Sequence, residues 1–158
     1  MVTQVAFWRR GTAKRDQLLR QKLQQALQLV LRCAVYYPRV ADYLRERAPD
    51  PFLDERLLKW GAMMVHASDA VASVITRLGA EPRWSVDCAP DELNPPHYFR
   101  TELARLLKAT SLLREAAEAA RSDALRQELL HLAEGKQRHF EELRGIQNEF
   151  LKQPSTTS

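Results

Sequence analysis

LDERLLKWGAMMVHASDAVASVITRL, residues 53–78, decides the fold. Leu53, Leu57, Trp60, Met64, Ala67, Val71, Val74 and Leu78 recur at steps of three and four, the spacing that draws one apolar stripe down a helix. Pro51 suits the first turn and Gly79 suits the position just past the end, so the helix is expected from about Pro51 to Leu78. A second face carries Lys59, Met63, His66 and Ala70. At about 100° per residue, Met63 and His66 lie roughly 60° apart while Met64 and His66 lie roughly 160° apart. Such a helix is apolar on two sides and needs a surrounding core or a partner subunit.

Three more helices follow from the same period. Leu19, Leu23, Ala26, Val30, Cys33 and Tyr37 form a stripe on a helix expected to begin near Thr12, a plausible N-cap. Pro38 is expected to kink or end it, with Val40, Tyr43 and Leu44 suggesting a helical continuation towards Arg47. Ala48-Pro49-Asp50-Pro51 is a short, stiff connection. After residues 80–94, which have no helical period, Pro95 and Pro96 open a third helix with Asn94 as its candidate cap. Its stripe is Phe99, Leu103, Leu106, Thr110, Leu113, Ala117 and Ala120. A tight turn at Arg121-Ser122-Asp123 leads to the fourth, with Leu125, Leu129, Leu132, Lys136, His139, Leu143, Ile146 and Phe150. Short connections flank one long one, so the expected fold is an all-α antiparallel four-helix bundle with one long crossover between its second and third helices.

Composition agrees. A 45% hydrophobic and 28% charged chain of 158 residues can build one sizeable core. With 5 Gly and no Gly-rich phosphate loop, neither a turn-rich β-sandwich nor a P-loop enzyme is expected. No apolar run is long enough to cross a membrane, and the start lacks the apolar core of a signal peptide, which implies a cytoplasmic protein. Cys33 and Cys88 make neither a disulfide framework nor a metal cage. The net charge of +4 comes from residues 1–22, where Arg9, Arg10, Lys14, Arg15, Arg20 and Lys22 face Asp16 alone. That segment has only Phe7 and Trp8 for stacking and no nucleic-acid motif, so a solvated basic helix start is the favoured reading over contact with nucleic acid. The expected organisation is a basic arm over 1–11, a bundle over 12–152 and a tail over 153–158.

The fourth stripe is polar where it should be most apolar. Lys136 and His139 occupy consecutive seam positions, and His66 is expected to face inward from the second helix. Buried groups of this kind must pair, bind something or titrate to neutral. Glu102 and Glu134 read as out of phase with the seam. A single metal shared by His66 and His139 is the sharper reading. Two core histidines hydrogen-bonded to Tyr37 and water are the favoured one.

The segments MMVHASDAV (63–71), RLGAEP (77–82), LLREAAEAA (112–120) and AEGKQRHFEELRG (133–145), with the helix lengths and the crossover, resemble the bacterioferritin branch of the ferritin-like superfamily. The resemblance covers about residues 18–150. It implies a ferritin-like fold and a di-iron site made by one Glu from each of two helices and Glu-x-x-His from the other two. Carried over, the six ligand positions fall on Val30, Met63, His66, Leu106, Lys136 and His139. All four carboxylates are replaced, and two imidazoles cannot hold two hard iron ions. An ammonium at Lys136 repels any entering cation. Met64 matches the methionine that in this branch ligates haem between two subunits, so haem is the one cofactor the resemblance suggests. The short fifth helix of that branch is not seen, which points to a homodimer through the second helix or a ferritin-like hetero-oligomer rather than a cage.

The expectation is therefore a non-catalytic ferritin-like protein, a structural or haem-carrying subunit or a repurposed scaffold in iron handling. The alternatives are an enzyme with a rebuilt Lys/His or single-metal site in the core, and a nucleic-acid or membrane adaptor acting through the basic arm.

Overall fold

The computed structural model describes residues 2–45, 52–86 and 95–152. Four helices follow one another: α1 (Val2–Arg45), α2 (Leu53–Arg77), α3 (Pro95–Ala119) and α4 (Asp123–Lys152). The backbone of α1 packs against α2 and α3, and that of α3 against α4. α2 and α4 are bridged by long side chains, with Trp60 Nε1 donating to Glu142 at 3.1 Å and Arg77 to Glu128 at 2.6 Å. The chain is an all-α four-helix bundle with the long crossover between α2 and α3. Among the described residues no helix is long and apolar enough to cross a membrane.

Helix ends follow local chemistry. Gly79 takes φ +73°, and Gly79 N–H donates to Thr76 O while Ala80 N–H donates to Ile75 O. This closes α2 with a left-handed residue that glycine adopts without steric cost. Ser122 Oγ accepts from Leu125 N–H at 3.2 Å and caps the start of α4. The end of α3 is held from outside, because Arg15 donates to Ala119 O at 2.9 Å and to Glu118 O at 3.0 Å. A guanidinium there satisfies orphan carbonyls and the negative end of the helix dipole.

One boundary expectation is corrected on α1: it starts at Val2 and runs through Thr12, which therefore does not cap it. Pro38 lies inside the helix, and the continuation expected beyond it runs to Arg45. Packing explains the tolerance. Gly61 of α2 sits so close that a Cβ there would lie 3.5 Å from both Pro38 Cδ and Tyr37 Cβ, so α2 supports α1 where proline removes a hydrogen bond. Asn94, Cys88, the connection at 46–51 and the tail at 153–158 lie outside the described residues.

The core forms two clusters stacked along the bundle. One is aliphatic and alanine-rich, around Leu19, Leu23, Val74, Ile75, Leu112, Leu113 and Leu129. The other contains Tyr36, Tyr37, Trp60, Met64, Phe99 and Leu143. Into this second, aromatic half the chain inserts its buried polar groups.

Candidate functional site

Every helix contributes to one polar cluster in the aromatic half. α1 supplies Cys33 and Tyr37, α2 supplies Trp60 and Met64, α3 supplies Glu102 and Arg105, and α4 supplies Lys136 and His139. Exposure is 0% for Glu102, 5% for Lys136 and 1% for His139, so hydration does not offset their polarity. Tyr37 Oη lies 2.6 Å from His139 Nε2, and the Trp60 indole meets the same imidazole edge-on at 4.8 Å between centroids. On the next turn of α4, Lys136 Nζ donates to Met64 Sδ at 3.2 Å. Arg105 reaches Glu102 Oε2 at 3.4 Å. Two buried atoms of the cluster, Glu102 Oε1 and His139 Nδ1, have no hydrogen-bond partner.

Burial sets the charge states. Desolvation pulls Lys136 down from the usual 10.5 to about 8, with Cys33 and Glu102 acting in the opposite direction. His139 is lowered to about 3 by desolvation and then by the neighbouring Lys136, which keeps the imidazole neutral. Burial raises Glu102 above the usual carboxylate range, while Cys33, Arg105 and Tyr37 offset part of that rise. The Cys33 thiol is pushed well up, first by burial and then by Glu102. Cys33 is thus protonated at neutral pH and is a poor soft-metal ligand.

The positions expected from sequence divide into two groups. Val30, Leu106, Lys136 and His139 lie in the core. Met63, 45% exposed, lines a cavity between α2 and α4 together with His139 and Glu142, and His66 faces outward. The inward expectation for His66 is corrected by the register of α2, whose buried stripe is Leu57, Trp60, Met64, Ser68, Val71 and Ile75. A residue roughly 160° from Met64 must point away. His66 and His139 are consequently not brought together, and a metal shared between them does not fit.

Met64 is completely buried and its sulfur accepts from Lys136, so the thioether stands inside the bundle. Glu102 is the residue that sequence reasoning misplaced: read as out of phase, it is fully buried. The inward arc of α3 is wide enough to include Phe99, Glu102, Leu103, Leu106 and Ala109, and Arg105 one turn on supplies the counter-charge. That i,i+3 pair beside the apolar stripe was the available signal. Glu134 is exposed, in keeping with its reading.

The donor set does not suit a di-iron centre. Glu102 is the one buried carboxylate among the described residues, and no group of three or more His, Cys, Asp or Glu side chains there is placed to hold a metal. Beside that carboxylate the cluster offers an ammonium, a thioether and a thiol, not the several oxygen ligands that two iron ions need.

No protein-family model and no curated protein matches the chain. Among solved structures, it is similar to the bacterioferritin of Rhodobacter capsulatus, described with a metal-free dinuclear site and haem iron in a crystallographic special position. The TM-score is 0.68 at 16% identity, covering 92% of this chain and 98% of that one. At that identity the likeness shows the fold, a ferritin-like four-helix bundle.

Proposed function

We propose that this protein is a non-catalytic member of the iron-handling ferritin-like proteins, a structural subunit or repurposed scaffold without a ferroxidase centre. The observation that carries the reading is Lys136: an ammonium in the bundle centre, bonded to Met64, takes the place a cation would need. It lies beside a single buried carboxylate, too little negative charge for two irons. The protein would keep the bundle for its shape and surface. A haem-carrying role through Met64 is set aside, because that thioether is interior.

The folded body is proposed as residues 12–152, with 1–11 a basic extension of α1, and its setting as the cytoplasm, where the free Cys33 thiol is stable. A homodimer through the outer face of α2 is proposed from Leu58 and Val65, which stand seven residues apart on one side of the helix and are 42% and 50% exposed. Two residues of the basic segment have intramolecular roles, Arg15 on the end of α3 and Lys22 on Glu115, which favours the structural reading of that segment.

The test is oxidation of ferrous iron in air, followed by absorbance beside a no-protein control and a bacterioferritin with an intact dinuclear site. The expected rate equals that of the control. Protein-dependent oxidation would overturn the proposal, and a solution mass of a monomer or a cage would overturn the dimer.

A further inference from the structure

At the far end of the bundle from the polar cluster, the irregular segment 80–86 leaves α2 and lies along α1. It is pinned there by side chains. The Gln24 amide donates to Glu81 O at 2.6 Å and accepts from Arg83 N–H at 3.0 Å, and Gln28 donates to Arg83 O. These bonds fix the backbone on both sides of Arg83, so the next residues are presented in a set orientation. Between this segment and α1 is a cavity of about 820 Å³, lined among others by Arg20, Gln21, Gln25, Arg83 and Trp84.

Three features of that cavity lack a structural explanation. Trp84 is 52% exposed, an arrangement that leaves indole surface in water. Nε of the half-buried Arg20 is shielded from solvent and donates to nothing. Arg83, whose backbone is held so firmly, is exposed and lines the same cavity. A stackable ring, two arginines and the Gln21 and Gln25 amides line this one cavity, with Glu81 as its single acid, and that set matches a ligand planar at one end and anionic at the other.

We infer that this cavity binds a free mononucleotide, its base on Trp84 and its phosphate on Arg20 and Arg83. A longer nucleic acid would need further free cations beside the cavity, and two of the nearest among the described residues are engaged elsewhere: Lys22 is paired with Glu115 and Arg15 is spent on the end of α3. The volume also suits one small ligand. The inference is independent of the reading of the polar cluster.

Calorimetric titration of the full chain with adenosine monophosphate, inorganic phosphate and a single-stranded oligonucleotide tests it. Saturable binding of the mononucleotide is expected, with phosphate alone weaker because it cannot stack. Trp84→Ala should weaken the mononucleotide by about tenfold or more and leave phosphate unchanged. Arg20→Met should weaken both, and Lys108→Met, on α3 outside the cavity, neither. The inference is overturned by absence of binding at millimolar nucleotide, by indifference to Trp84→Ala and Arg20→Met, or by an oligonucleotide that binds with steep salt dependence where the mononucleotide does not. Circular dichroism of each variant separates lost binding from lost folding.

Discussion

Lys136 and Met64 meet across the centre of the bundle, Nζ to Sδ at 3.2 Å, with both side chains buried. A thioether is a weak acceptor, so this contact recovers only part of what the ammonium loses on leaving water.

Lys136→Met should therefore stabilise the fold. Replacing a poorly compensated buried charge by an apolar chain of similar length is expected to gain about 1–3 kcal/mol. Met64→Ala should cost about 2–4 kcal/mol, since it opens a cavity and strips the ammonium of its partner. Urea unfolding measures both, and a destabilised Lys136→Met would show that the charge holds the cluster together.

The pH dependence has a definite sign on the alkaline side. Lys136 titrates near 8 when folded and near the ordinary 10.5 when unfolded. Below pH 8 both states carry the proton and the burial cost is felt in full. Between 8 and 10.5 the folded chain releases it first, so stability rises, by a ceiling of about 1.4 kcal/mol per pH unit. Lys136→Met should lack that rise in melts across the window.

On the acid side the imidazole makes a contribution of its own. His139 titrates near 3 when folded against an ordinary 6.5, so its unfolded form binds the proton first and stability falls as pH drops from 6.5 to 3. His139→Gln should flatten that fall. The comparison is the wild-type and variant melting temperatures at a series of pH values.

Tyr37→Phe leaves His139 Nε2 without its 2.6 Å partner and should cost about 1–3 kcal/mol, the penalty for an unsatisfied buried polar atom. His66→Ala on the outer face should change stability by about 0.5 kcal/mol or less. Chemical denaturation of the pair distinguishes the two histidines; equal costs would place His66 in the core.

Glu102→Leu removes the counter-charge of Arg105, which is only 11% exposed on its side chain. Destabilisation of about 3–5 kcal/mol is expected, as for a buried pair broken from one side. Glu102→Leu with Arg105→Met should recover most of it in a double-mutant cycle.

The sequence by itself determined the four helices, the crossover and the stripe on each, because a period near 3.6 in apolar residues has one stable solution, burial of that face. It also placed Lys136 and His139 in the seam and Gly79 at the end of α2. The tertiary structure decided what single-helix geometry leaves open. Whether the second face of α2, with His66, is covered as well as the first depends on which neighbours lie against it, and the bundle leaves His66 exposed. Glu102 is interior because Arg105, Cys33 and Tyr37, from two helices, converge on it. Coverage and convergence are relations between helices, and neither is written in the periodicity of any one of them.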